Sequence, residues 1–179
     1  MRVIAGSAKG VRLAPVPPGT RPLSDRAREG VFSSLAERVP GSTVADLFAG
    51  TGALGIEALS RGAATALFVD SGARAVRAIR ENLARTGLEG SARGVRADVA
   101  RVLGRETGPF DLVFLDPPYR HPATELRRIV ERATTLAPGG TIVTTRPRRD
   151  PTDVIPVHWS VVKVLTYGDA RVLICREAD

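Results

Sequence analysis

Three glycines, Gly50, Gly52 and Gly55, follow a short apolar run and precede an apolar-periodic segment. This order predicts a strand, a tight turn and the start of a helix, and the glycines let a ligand approach the backbone closely. An ordinary strand-to-helix turn shows the same pattern. However, Asp46 lies at the end of the strand, and Asp70 ends the next apolar run, twenty residues after Gly50. An acidic residue at that distance is placed to accept hydrogen bonds from ribose hydroxyls, so the pattern favours a nucleoside-containing cofactor.

A second group of residues, Asp116-Pro117-Pro118-Tyr119, follows directly after a later apolar run. Ligands of open α/β sheets bind outside the carboxyl ends of the strands, so this tetrapeptide is expected beside the glycine turn. Its prolines stiffen the chain and would fix an acceptor side chain, a carbonyl group and an aromatic face. Such a set suits a planar substrate with an NH2 group, which would stack on Tyr119 and donate to Asp116 and the Pro117 carbonyl. A proline turn with a half-buried tyrosine is the alternative.

The elements that must position these residues alternate between strand and helix. Helices are predicted at 25–39 (capped by Ser24), from the glycine turn to 61, from 72 to 86 (capped by Ser71), at 99–103 and at 123–136. Strands are predicted at 44–48, 66–70, 91–97, 110–115 and 141–145, with a terminal hairpin at 157–167 and 170–176. Alternating elements followed by a hairpin predict an α/β fold, with a mostly parallel sheet and one antiparallel strand.

Composition limits the class of protein. At 179 residues the chain is expected to form one globular domain. No apolar run approaches the length of a membrane-spanning helix, and the first residues lack a signal-peptide pattern. The single cysteine, Cys175, excludes an internal disulfide and a cysteine cluster, and two histidines argue against a zinc site. We therefore expect a cytoplasmic monomer without a metal or a membrane partner.

The basic charge of the chain is concentrated near its start. The net charge is +7, and 24 of the 26 basic residues are arginine. Residues 1–13 predict two short strands, and residues 14–24 hold four prolines in an irregular loop. A solvated surface arm would show such a charge run too, but a stiff, arginine-rich arm favours a nucleic-acid contact. We therefore treat residues 1–24 as a basic arm and 25–179 as the main domain. The predicted RNA contacts are Arg2, Lys9, Arg12, Arg21, Arg26 and Arg28.

The motifs D-L-F-A-G-T-G and D-P-P-Y, in this order and spacing, resemble those of class I S-adenosylmethionine-dependent methyltransferases that modify exocyclic amines. The opening R-V-I-A-G-S-A-K-G-V-R-L and the following R-P-L-S-D-R-A-R-E-G-V-F are similar to the RsmD family of bacterial 16S rRNA guanine-N2 methyltransferases. G-A-L-G-I-E-A-L-S-R-G-A and the late Y-G-D fit as well, so the resemblance covers essentially the whole chain. The family usually has a glutamate near the end of the fifth strand, where this chain has Thr144-Thr145.

This resemblance implies a Rossmann-like fold with a mostly parallel seven-stranded sheet, an antiparallel C-terminal strand and an N-terminal β-hairpin arm. It implies S-adenosylmethionine as cofactor and 16S rRNA, in an assembled or assembling 30S subunit, as partner. Asp46 would hold the methionine amine, Asp70 the ribose hydroxyls and Asp98 the adenine amine. The other cofactor-binding residues that the resemblance implies are Phe48, Gly50, Gly52, Ser71 and Val99. Val99 would pack on the adenine ring. The target guanine would be held by Asp116, Pro117, Pro118 and Tyr119.

Three other functions fit part of the pattern. An NAD-dependent oxidoreductase has a similar glycine turn and acidic residue, but gives no role to Asp-Pro-Pro-Tyr. That tetrapeptide also occurs in adenine-N6 DNA methyltransferases, and a related Asn-Pro-Pro-Tyr occurs in enzymes that methylate protein glutamine. A non-catalytic RNA-binding protein would explain the basic arm and leave the cofactor residues without a role.

Overall fold

The computed structural model describes residues 1–15, 22–105, 108–118, 120–149 and 154–178. Within these residues, α-helices and strands alternate up to the fifth strand, and a 3-10 turn at Glu89–Ser91 precedes the third. The helices are α1 (Asp25–Ser34), α2 (Ala53–Ser60), α3 (Ala73–Thr86), α4 (Val99–Leu103) and α5 (Ala123–Thr135). The strands are β1 (Thr43–Leu47), β2 (Thr65–Asp70), β3 (Ala92–Arg96), β4 (Leu112–Leu115), β5 (Thr141–Pro147), β6 (Trp159–Tyr167) and β7 (Ala170–Glu177).

The seven strands form one sheet in the order β3-β2-β1-β4-β5-β7-β6. Strands β1 to β5 pair in parallel, whereas β7 pairs antiparallel with both β5 and β6. This confirms the predicted sheet with its single antiparallel strand. The strand order reverses between β1 and β4, and such a reversal opens a crevice at the carboxyl ends of the two strands. The glycine turn after β1 and the Asp-Pro-Pro corner after β4 meet at this crevice.

Helices cover both faces of the sheet, as a mainly parallel sheet requires. On one face, Phe32 of α1, Ile56 of α2 and Ile79 of α3 belong to a single buried core. On the other face, Val102 of α4 and Leu126 of α5 belong to a second core. Successive residues of the central strands alternate between these two cores, so neighbouring strand positions face different helices.

Helix α1 begins as predicted and ends early. Ser24 caps it by accepting a backbone N–H of the first turn at 3.1 Å. The helix ends at Ser34 instead of Val39, and the Ser34 hydroxyl donates to the Gly30 carbonyl at 2.9 Å, a local bond that competes with helix continuation. Leu35 and Val39 remain buried in the core, so the apolar periodicity identified the inward-facing residues but not the helical length.

The N-terminal arm is a hairpin that packs against α2. Its two limbs share one antiparallel bridge, between Arg2 and Arg12, in place of the two short strands predicted. Glu57 of α2, which is fully buried, accepts the backbone N–H groups of Ile4 at 2.8 Å and Ala5 at 3.0 Å. The arm also contributes three buried side chains to the core: Val3, Ala8 and Leu13. The arm is therefore held against the domain along its length.

Two glycines of the arm provide a matched test of this docking. Gly6 and Gly10 both have left-handed backbones, with φ of 84° and 87°. An alanine Cβ would lie 1.7 Å from the Ser60 carbonyl oxygen at position 6, but would meet nothing within 4 Å at position 10. We expect Gly10→Ala to lower the free energy of unfolding by about 1–2 kcal/mol, the cost of a left-handed alanine. Gly6→Ala should cost about 1–3 kcal/mol more, because the hydrogen bond from Ser7 N–H to Ser60 must break. Urea titration of both variants measures the difference, and equal losses would contradict the docking.

Candidate active site

The turn between β1 and α2 presents its backbone to a cavity. Phe48 and Gly50 have positive φ, 61° and 56°, and this conformation is uncommon for a residue such as phenylalanine outside functional sites. A Cβ on Gly50 would meet nothing within 4 Å, so its backbone is open to a ligand. A Cβ on Gly52 would lie 3.2 Å from the side chains of Phe68 and Ile79. Gly52 thus permits close packing under the turn and does not itself line the cavity.

Asp46 is a buried carboxylate beneath this turn, with 1% of its surface exposed. One of its oxygens accepts the backbone N–H of Gly55 at 2.8 Å. Burial raises the pKa of Asp46 well above its ordinary value, and the charges of Asp116 and Asp70 raise it further, while the Gly55 hydrogen bond lowers it. A Cβ at position 55 would lie 2.4 Å from the Phe68 ring and 3.2 Å from Asp46, which explains why the first turn of α2 has a glycine there.

Asp70 connects the ends of β2 and β1. Its two carboxylate oxygens accept the backbone N–H groups of Gly50 at 2.9 Å and Gly72 at 2.8 Å. The predicted cap of α3 by Ser71 is wrong: Gly72 is the N-cap residue, and no side chain caps this helix. The short loop is closed by the Asp70 carboxylate instead, which leaves Ser71 on the cavity surface.

Asp98 and Val99 start α4 at the same end of the sheet. Asp98 caps the helix by accepting the Arg101 backbone N–H at 3.2 Å, and its side chain is exposed. Val99 is 2% exposed and lines the cavity from beneath. A flat ring that carries an amine could stack on the apolar surface of Val99 and donate a hydrogen bond to Asp98.

Asp116 follows β4 directly, and its backbone N–H donates to the Leu47 carbonyl at 3.4 Å. The Thr145 hydroxyl of β5 donates to Oδ1 of Asp116. Burial raises the pKa of the Asp116 carboxyl from 3.8 to about 6, and the Thr145 hydrogen bond opposes that rise. Of the following prolines, Pro117 is buried and Pro118 is exposed, and the Pro118 carbonyl accepts the His121 N–H at 2.8 Å. Tyr119 lies outside the described residues.

A cavity of about 470 Å³ joins these groups. Its volume is within the range of small-molecule sites, about 300–1,000 Å³. Four carboxylate residues line it, and each lies at or just after the carboxyl end of a different parallel strand: Asp46, Asp70, Asp98 and Asp116. Six other predicted site residues also line it: Phe48, Gly50, Ser71, Val99, Pro117 and Pro118. The cavity is therefore acidic with apolar parts, and suits a ligand that carries positive charge and hydrogen-bond donors.

Some lining residues were not predicted from the sequence. Leu23 before α1, Leu54 of α2 and Arg120 after the Asp-Pro-Pro corner also line the cavity. Leu54 follows the glycine turn as an apolar residue, a signal that could have identified it. The sequence distinguishes Thr145 only as part of Thr144-Thr145, which stands where the family usually has a glutamate. Nothing local in the sequence indicates the hydrogen bond from Thr145 to Asp116.

The basic residues predicted to contact RNA, in the arm and in α1, divide into two groups. Arg2, Lys9, Arg12 and Arg26 are exposed, as an RNA contact requires. Arg28 is 1% exposed, so the predicted surface contact is wrong for this residue. Its guanidinium donates to Asp25 at 2.7 Å and to the Arg2 carbonyl at 2.6 Å, and lies 3.7 Å from Glu57. Arg28 holds the arm to the domain from inside, because a buried cation is stable only beside an anion. Arg21 lies outside the described residues.

The described part of the chain lacks a metal-binding cluster and a membrane-spanning helix. No three His, Cys, Asp or Glu side chains there are grouped in a way that could hold a metal ion. None of the helices there combines the length and apolar character that crossing a membrane requires.

The strand order, the single antiparallel strand and the glycine turn after β1 define a class I methyltransferase fold of the Rossmann-like type. The chain belongs to the RsmD family, since the family model described as Conserved hypothetical protein 95 matches residues 1–176. Ribosomal RNA small subunit methyltransferase D from Escherichia coli K12 is 36% identical over 183 residues, covering 100% of this chain and 91% of that protein.

Solved structures agree with this assignment. The structure of yhhF from Escherichia coli has a TM-score of 0.85 and 35% identity, and covers 100% of this chain and 99% of that chain. A hypothetical protein from Thermus thermophilus has a TM-score of 0.83 and 31% identity, with 97% and 98% of the two chains covered.

Proposed function

We propose that this protein transfers the methyl group of S-adenosylmethionine to the exocyclic N2 amine of a guanine in 16S rRNA, within an assembled or assembling 30S subunit. The observation that carries the proposal is the position of Asp116-Pro117 on the same cavity as Gly50 and Asp70, which joins an amine-binding corner to a cofactor turn. The Escherichia coli relative is named for methylation of small-subunit ribosomal RNA. A monomeric enzyme that meets its substrate in the cytoplasm is part of the same proposal.

The cavity residues fit S-adenosylmethionine, which supplies an electrophilic methyl group on a sulfonium when it is bound. Asp46 would hold the methionine amine, and the carboxylates would offset the positive charge of the cofactor. Each oxygen of Asp70 accepts one backbone N–H and retains a lone pair for a ribose hydroxyl. Asp98 would accept from the adenine amine, while Val99 packs on the ring.

Asp116 and the Pro117 carbonyl would orient the target amine. The lone pair of guanine N2 is delocalised into the ring, which makes the nitrogen a poor nucleophile. Two acceptors on the NH2 group favour localisation of that lone pair and stabilise the positive charge that develops on nitrogen. Pro118 and Tyr119 would contact the base, which must leave its stack to reach the cavity. Alignment of nitrogen, methyl and sulfur then lowers the barrier through positioning alone.

Transfer of labelled methyl from S-adenosylmethionine to 30S subunits tests the proposal. The subunits are isolated from cells that lack this gene, and the product is digested to nucleosides and identified. Label in N2-methylguanosine at one position of 16S rRNA supports the proposal. Label in another nucleoside would support methyltransferase activity but would overturn the assignment of guanine N2 as the target. Bound cofactor without label in 30S subunits, 16S rRNA or DNA would direct the search to a protein substrate.

The exposed arginines of the arm and of α1 predict how RNA binding depends on salt. We expect the double variant Arg12→Gln/Arg26→Gln to weaken binding of a 16S rRNA fragment roughly tenfold at 0.1 M salt, because two phosphate contacts are lost. The slope of log K against log salt should decrease by about 2. Arg101→Gln/Arg128→Gln is the matched control, since it removes the same charge from exposed residues of α4 and α5 on the other face. Equal slopes for the two double variants would show that only total charge matters and would contradict a specific arm contact.

A further inference from the structure

Thr145 lies beside Asp116 at the carboxyl ends of two neighbouring strands. Strands β4 and β5 pair Leu115 with Thr144, so the next position of the register brings Asp116 against Thr145. Thr145 is 2% exposed, and its hydroxyl donates to Oδ1 of Asp116. We propose that Thr145 is a positioning residue, which fixes the orientation of the Asp116 carboxylate and leaves its Oδ2 for the substrate amine. This inference rests on the proposed function.

The carboxylate of an aspartate needs such a partner to hold one orientation. Rotation about the Cβ–Cγ bond of aspartate has broad, shallow preferences, so the two oxygens are not fixed by the backbone. Among the described residues, Thr145 provides the one side-chain hydrogen bond to the Asp116 carboxylate. Removal of that donor would free the carboxylate to rotate and would leave a buried acceptor unsatisfied.

The same hydrogen bond affects the charge of Asp116. The cavity around it holds three further acidic residues, Asp46, Asp70 and Asp98, and two basic residues, Arg28 and Arg120. Burial raises the pKa of Asp116 to about 6, and the Thr145 hydroxyl opposes this by stabilising the ionised form. Without the hydroxyl, the pKa of Asp116 should rise further, so that less of the carboxylate is ionised near neutral pH.

Thr144 provides a control of the same chemistry on the same strand. It is fully buried, but it faces the α4–α5 core, and its hydroxyl has no hydrogen-bond partner within the described residues. A threonine-to-valine change keeps the shape of the side chain and removes the hydroxyl at either position. Any effect confined to position 145 therefore comes from the bond to Asp116 and not from packing of the strand.

Two measurements on Thr145→Val, Thr145→Ser and Thr144→Val test the proposal. Steady-state methylation of 30S subunits should show kcat reduced about tenfold at pH 7 for Thr145→Val, with its acid limb moved to higher pH and the KM for S-adenosylmethionine unchanged. Thr145→Ser keeps the hydroxyl donor, so its kcat should remain within about threefold of that of the original enzyme. The kcat of Thr144→Val should also remain within about threefold of the original value. Carboxyl carbon NMR titration of the cofactor-free protein should show a further rise in the pKa of Asp116, above that of the original protein, only in Thr145→Val.

The outcomes separate this inference from the proposed function. If the original enzyme methylates no 30S subunit, the proposed function fails, while the NMR titration still reports on the Thr145–Asp116 bond. If Thr145→Val keeps both the kcat profile and the Asp116 titration of the original enzyme, the positioning role is overturned. A loss of kcat of the same size in Thr144→Val would also overturn it, because the effect would then come from strand packing.

Discussion

Asp116→Ala is expected to lower kcat for methyl transfer by about 10²- to 10³-fold, while the Kd for S-adenosylmethionine stays within about threefold. The carboxylate lines the cavity in which the proposed function places the target amine, so its removal would delete the acceptor proposed to act on the developing positive charge. Isothermal titration with the cofactor and single-turnover methylation of 30S subunits measure the two effects separately. Asp111→Ala is the matched control, since it makes the same change at an exposed residue that precedes the other end of β4. Full activity of Asp116→Ala would refute the acceptor role.

Asp116→Asn distinguishes an acceptor from a proton-removing base. Asparagine keeps an oxygen that can accept from the amine, but it cannot take up a proton at neutral pH. If acceptance is the role of Asp116, Asp116→Asn should retain at least tenfold more activity than Asp116→Ala, on the order of the value of one strong hydrogen bond. Equal losses in the two variants would indicate that Asp116 must remove a proton.

The stability of Asp116→Asn tests whether a loss of activity in this variant comes from misfolding. The pKa of Asp116 is raised from 3.8 to about 6 by burial, so the folded protein binds this proton more tightly than the unfolded chain. Binding of this proton adds about 3 kcal/mol to the free energy of unfolding below pH 3.8. That contribution is lost as the pH rises through 6. Asparagine does not ionise, and we therefore expect Asp116→Asn to gain stability over the original protein between pH 4 and 8, in urea titrations without cofactor. A constant difference across that range would contradict the raised pKa.

Glu57→Gln is expected to destabilise the protein by about 3–5 kcal/mol. Glu57 is fully buried and accepts hydrogen bonds from two backbone groups of the arm and from Arg61 Nε at 2.7 Å, and it lies 3.7 Å from the Arg28 guanidinium. Glutamine has the same shape but leaves the buried Arg28 guanidinium short of an anion, and its NH2 group would face other donors. Urea unfolding at pH 7 measures the loss.

Glu81→Gln is the control for this change. Glu81 pairs with Arg85 on α3, but both side chains are more than two-fifths exposed, at 47% and 44%. Such a surface pair contributes about 0.2–1 kcal/mol, so the same substitution there should be nearly neutral. Hydrogen exchange at Ile4 and Ala5 provides a second measurement, because the arm would lose protection in Glu57→Gln even if the domain stayed folded. Stability within 1 kcal/mol of the original, with protected arm amides, would contradict the role of Glu57.

The sequence by itself determined the features that depend on neighbouring residues. Alternating apolar periodicities predicted the order of strands and helices, because a helix or strand buries a face that repeats within a few residues. The glycine turn and the Asp-Pro-Pro corner were visible as local breaks after buried strands, and parallel strands must end at the same edge of the sheet. These rules were sufficient to group Asp46, Asp70 and Asp116, and the family resemblance added Asp98; all four line one cavity at that edge.

The tertiary structure decided the contacts between distant residues. Arg28 is buried whereas its neighbour Arg26 is exposed, and its burial depends on Glu57 of α2 and on the Arg2 carbonyl as well as on the nearby Asp25. The bond from Thr145 to Asp116 joins residues that are 29 positions apart, and it depends on the register of β4 and β5. The local sequence pattern indicates which face of a helix or strand a residue occupies. It does not indicate which charged or polar group of another element contacts the residue there. The ionisation of Asp116 and the anchoring of the arm are therefore properties of the assembled fold.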